Sequence, residues 1–148
     1  MINEEYFLAA LRLAAGHDPL PEHVSAAARD AYGLRVPQAV TAVPAECSAS
    51  REVRSSDGCQ LVRFVAAGLT FDLEVTVGDG LIDVAGQIVP HPGEGSHVDV
   101  RTPHLTLTRR LAGTGHFAAT GLPPGWLSVV CHRPGHSPVQ TRWVRIRP

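Results

Sequence analysis

The stretch "LTFDLEVTVGDGLIDVAGQIV" (69–89) decides the fold. Leu69, Phe71, Leu73, Val75 and Val77 alternate with Thr70, Asp72, Glu74 and Thr76. A period of two is that of a strand with one face in a core and the other toward water. "GDG" (78–80) supplies the glycine-rich tight turn that joins two antiparallel strands, and "LIDVAGQIV" returns. Phe71 is therefore expected in the core and Glu74 outside it. Downstream, "HVDVR", "HLTLTRR", "GHFAAT", "GWLSVVC" and "VQTRWVRI" read as further short strands between Gly/Pro turns. About eight strands with no intervening helix predict an antiparallel β-sandwich over residues 59–148.

Upstream of this half, the pattern is helical. "NEEYFLAALRLAAG" (3–16) has Asn3 as a cap, Glu4 and Glu5 in the first turn, and Gly16 as a stop. Phe7, Leu8 and Leu11 share one face at helical spacing. A second helix, from about Pro21 to Tyr32, carries Val24, Ala27, Ala28 and Ala31 on its apolar side and stops at Gly33. Residues 1–34 are thus expected to form a helical hairpin. Two helices this short are marginal alone and must pack on the rest of the chain, on each other or on a partner. The segment 35–58, rich in Pro, Ala and Ser, has no sustained period and reads as an irregular linker or crossing, in which Val36, Val40 and Val43 leave room for short extended pieces on the surface.

Composition narrows the function. All thirteen basic residues are arginine, and the formal net charge is −1. Residues 101–148 hold seven arginines and no acid, whereas 51–100 hold three arginines and eight acids. Cross-strand pairing of Asp72, Glu74 and Asp99 with C-terminal arginines accounts for this more simply than a nucleic-acid surface. No basic helix or aromatic stacking surface accompanies the arginines. Three widely spaced cysteines (Cys47, Cys59, Cys131) do not make a disulfide framework and fit a reducing cytoplasm. The acidic, Arg12-interrupted N-terminal helix is neither a secretion signal nor a membrane span.

"CHRPGHSP" (131–138) raises the question of a metal site, with Cys131, His132 and His136 close in sequence. Adjacent residues on a strand point to opposite faces, so Cys131 and His132 do not converge on one ion. The stretch reads as a strand end and a turn. His91, His97, His104 and His116 lie in other segments without a recurring ligand spacing. A Gly-x-Ser-x-Gly nucleophile motif is absent, and the glycine turns lack the strand-to-helix context of a phosphate cradle. The sequence thus assigns no catalytic residue, no cofactor and no metal ligand.

Two resemblances add to this. "GTGHFAATGLPPGWLSVVC" (113–131) resembles the carboxypeptidase regulatory-like domain, a transthyretin-like β-sandwich. The matching residues are Gly115 and Phe117, then Gly121, Leu122, Pro123 and Gly125, then Trp126 and Val129, with "GQIV" (86–89) as an earlier strand. The resemblance implies a non-catalytic module in which the aromatic after the turn plugs the end of the sandwich. The whole chain resembles small actinobacterial proteins often encoded beside alternative sigma factors, through "DPLPEHVSAAARDAY" (18–32), "GLTFDLEVTV" (68–77) and "GQIVP" (86–90). That implies regulation by protein contact, with a sigma factor or a product of the same operon as partner. Phe7, Leu8, Leu11 and Val24 are the expected contact residues, for a partner or a second copy of the chain. The alternative is a small-ligand or metal-binding module that uses the His-bearing loops.

Overall fold

The computed structural model of the chain describes residues 4–17, 19–45 and 58–147. The chain divides into two units, Met1–Arg35 and Val36–Pro148.

The first unit holds α1 (Glu4–His17) and α2 (Glu22–Gly33). α1 runs through Gly16, and the His17 ring Nδ1 lies 2.8 Å from the Leu13 carbonyl oxygen; the expected cap, Asn3, lies outside the described residues. The carbonyl of Pro21 opens α2 by accepting from Val24 N and Ser25 N. At the other end, Leu34 N and Arg35 N donate back into the last turn, and the Arg35 guanidinium sits over the Tyr32 ring. Among the described residues of the two helices none is buried.

The second unit is β1 (Val40–Pro44), β2 (Cys59–Ala66), β3 (Leu69–Gly78), β4 (Leu81–Val89), β5 (His97–Arg101), β6 (Thr106–Arg110), β7 (His116–Leu122), β8 (Gly125–His132), β9 (Val139–Thr141) and β10 (Val144–Ile146). Their order is β6-β5-β8-β9-β1-β2-β3-β4-β7, with β10 also on β8. The ends of this path approach each other, where Arg109 Nε on β6 donates to the Ala118 carbonyl on β7 at 3.1 Å. The unit is a nearly closed sheet.

It is mixed rather than antiparallel. β1 runs parallel to β9 and antiparallel to β2. Val40 N donates to Pro138 O and Arg142 N to Ala42 O on either side of the parallel pair. This strand lies in the segment expected to be irregular: Ala42 is fully buried and ties the β2–β3–β4–β7 meander to the β6–β5–β8–β9 half. Residues 46–57 of that segment lie outside the described residues. "VQTRWVRI" is likewise two strands, broken at Arg142 and Trp143.

β3 has the expected register. Leu69, Phe71, Leu73 and Val75 are buried and Glu74 is exposed. Asp79 (φ 51°) and Gly80 (φ 76°) make the two-residue turn to β4, the left-handed pair that matches strand twist. Gly115 (φ +80°) is required twice over, since a Cβ there would lie 2.2 Å from the Ile88 carbonyl oxygen. A β-bulge interrupts the β4–β7 ladder at Ile82/Val84, and the Asp83 carboxylate accepts from Gly121 N there at 2.9 Å.

On β8 the core takes Leu127, Val129 and Cys131. Trp126 consequently faces outward, opposite Arg145, and is 48% exposed. It does not plug the end of the sheet as expected. The acids also pair differently from expectation. Asp72 accepts two hydrogen bonds from Arg63, its direct cross-strand neighbour on β2, at 2.6 and 3.0 Å. Glu74 accepts from the Cys59 thiol.

Candidate functional site

β5 alternates between two environments. Val98 and Val100 enter the core, which turns His97, Asp99 and Arg101 to the other face. β8 runs antiparallel beside it, with His132 directly opposite His97. The two imidazoles stack with centroids 4.7 Å apart and planes 14° from parallel. His132 Nε2 donates to Asp99 Oδ2 at 2.8 Å. The other carboxylate oxygen, Oδ1, accepts from Thr108 Oγ1 on β6 at 2.6 Å. Three adjacent strands therefore fix one carboxylate and two imidazoles.

All three side chains are half-buried, and one ligand atom from each lies within 4.8 Å of the others. Arg101 flanks the cluster along β5, with its guanidinium over the Trp143 ring. Burial lowers the Arg101 pKa from its ordinary value, and the Asp99 carboxylate opposes that shift. On β8 the same face carries Ser128, whose hydroxyl donates to the Thr141 carbonyl at 3.2 Å.

The arrangement has two chemical capacities. An imidazole held by a carboxylate can move protons, and two imidazoles with a carboxylate can ligate a metal ion. Nucleophilic chemistry lacks its reactant among the nearest groups. Cys131 adjoins His132 in the chain but is fully buried on the core side, and burial pushes its thiol up to about 11. The Ser128 hydroxyl is engaged with the backbone.

The structure therefore separates what the sequence had placed side by side. Cys131 and His132 lie on opposite faces, and His136 sits in the turn at 133–138, its ring against the Pro134 carbonyl. It joins instead residues 35 positions apart, His97 and His132. The "HVD" spacing at 97–99 already puts His97 and Asp99 on one strand face. The pairing of β5 with β8, which brings in His132, has no local signature.

The expected contact residues are all at the surface of the helical unit. Phe7 is 54% exposed, Leu8 45%, Leu11 49% and Val24 40%. Among the described residues, no helix is long and apolar enough to cross a membrane. Comparison of the chain with known families, characterised proteins and solved structures returns no match.

Proposed function

We propose that this is a non-enzymatic regulatory or adaptor protein of the cytoplasm that acts by protein–protein contact. Its helices present the contact surface, and its β unit, read as a transthyretin-like sandwich, carries them. One observation supports this above the rest: Phe7, Leu8, Leu11 and Val24 are exposed while no residue of either helix is buried. Apolar side chains clustered on a soluble surface mark an interaction site. The stripe on α1 suits the mode in which an amphipathic helix enters an apolar groove. Glu4 and Glu5 at its start favour a groove with a basic rim. The resemblance of residues 18–32 and 68–77 points to a sigma factor, or another product of the same operon, as the owner of that groove.

Binding of the purified full-length chain to the alternative sigma factors of its host, measured by calorimetry, tests the reading. Saturable binding that Leu11→Asp abolishes, with the β-sheet circular dichroism unchanged, supports it. Absence of binding, or self-association in the ultracentrifuge that Leu11→Asp disrupts, overturns the sigma-factor assignment. Unfolding of the whole molecule by Leu11→Asp would make α1 part of the core and remove the reading's main support.

A further inference from the structure

We propose that His97, Asp99 and His132 bind one divalent first-row transition metal ion on the outer face of β5 and β8. The site belongs to the second unit and does not depend on the helices. Two imidazole nitrogens and one carboxylate oxygen are a donor set suited to zinc and its neighbours, and not to magnesium or calcium, which prefer oxygen alone.

Geometry carries the argument. The three ligand atoms already lie within 4.8 Å of one another. Ions with metal–nitrogen distances of about 2.1 Å need donors about 3 to 3.5 Å apart, so the cluster contracts by little more than 1 Å on binding. The stacked rings must turn, because in-plane lone pairs on nearly parallel imidazoles do not meet at a point. Rotation about the histidine ring torsion is soft, and both rings are partly open to solvent. On binding, the neutral His132 ring shifts its proton from Nε2 to Nδ1 through solvent. Nε2 and Asp99 Oδ2 thereby give up their mutual hydrogen bond and both turn to the metal.

The surroundings resemble those of a built ligand set. Thr108 Oγ1 holds the second carboxylate oxygen at 2.6 Å and so orients the first, the role that outer groups play around bound metals. The ligands stand on adjacent strands of a continuous ladder, which fixes their Cα positions before any ion arrives. Three protein ligands leave coordination positions open for water or for a small anionic ligand. Arg101 follows Asp99 on the same face of β5, with its guanidinium over the Trp143 ring. Cys131 takes no part, since its sulfur lies in the core.

The test uses the full chain, freed of metal and titrated with zinc alone by calorimetry. One ion per chain is expected. His97→Ala, His132→Ala and Asp99→Asn should each weaken it by at least about tenfold, and Thr108→Val by a smaller factor. His136→Ala and His104→Ala should leave it unchanged. The proposal is overturned if the parent binds no zinc, if His132→Ala binds as the parent does, or if His136→Ala removes binding. Should a variant fail to fold, histidine ring resonances of the intact parent decide the matter. Zinc should shift those of His97 and His132 together; shifts confined to other histidines would overturn the site.

Discussion

The Phe117 ring lies directly over Gly86, its cross-strand partner on β4. A Cβ added to Gly86 would stand 2.2 Å from Phe117 Cζ and under 3 Å from two further ring atoms. The absent side chain makes room for the ring, and the ring covers the backbone that glycine leaves bare. Gly86→Ala should therefore destabilise by about 1–3 kcal/mol, as overpacking of a core does. Phe117→Leu alone should also cost stability, because it empties part of the same site. The double variant should lose less than the sum of the two, a coupling that denaturant titration of all four proteins would measure. Strict additivity would mean that the ring does not depend on Gly86.

Ala67 has φ 50° and Gly68 φ 75°, and together they form the two-residue turn from β2 to β3. The turn is of the kind that favours Asn-Gly, because a residue with a Cβ pays to enter the left-handed region and asparagine pays least. Ala67→Asn should stabilise the protein by about 0.5–1 kcal/mol, within the usual gain from matching a residue to its backbone. Thermal unfolding would show a raised midpoint. A lowered one would place the turn in another conformation.

Local pattern made much of this molecule legible. The β3–β4 hairpin follows from alternation and an Asp-Gly turn, and the end of β8 follows from the opposite facing of Cys131 and His132. What eluded the sequence depends on contacts between distant segments. Val40–Pro44 is too short and proline-flanked to declare itself a strand, and it becomes one because β9 and β2 supply its hydrogen bonds. Trp126 looks like a core residue by type, but the alternation of β8 commits Leu127 to that place. Asp99 finds His132 and Thr108 as its cross-strand hydrogen-bond partners because β5 lies between β6 and β8. The metal-ligand arrangement belongs to this second kind of information.

Arg109 spans the gap between the two ends of the sheet. Its Nε donates to Ala118 O on β7 and its Nη1 to Thr108 O on β6. A charged donor on a backbone carbonyl contributes about 1.5–3 kcal/mol when buried and less in water. Arg109 is only partly buried, so Arg109→Met should cost about 1 kcal/mol or less. Its clearer effect should be local. Amide exchange in β6 and β7 should accelerate while that of β3 is unchanged, since edge elements open at lower free energy than the centre. Uniform acceleration across all strands would show that Arg109 supports the whole fold instead.

Cys131 should behave as a reporter of global unfolding. It is fully buried, and burial raises its thiol from 9.0 to about 11, against a smaller opposite effect of the Arg133 charge. Only the thiolate reacts, and with that pKa roughly one thiol in a thousand is ionised at pH 8 even before access is considered. Iodoacetamide should therefore modify Cys131 at pH 8 only as fast as the chain opens. Linkage gives the pH dependence. The folded pKa lies above the unfolded one, so this contribution to stability is complete below pH 9 and is lost as pH rises through about 11. Midpoints from urea titrations at pH 8 and pH 10.5 should fall for the parent protein and fall less for Cys131→Ala. Equal falls in the two proteins would mean that other groups govern the alkaline limb and that the thiol is not held protonated by the core.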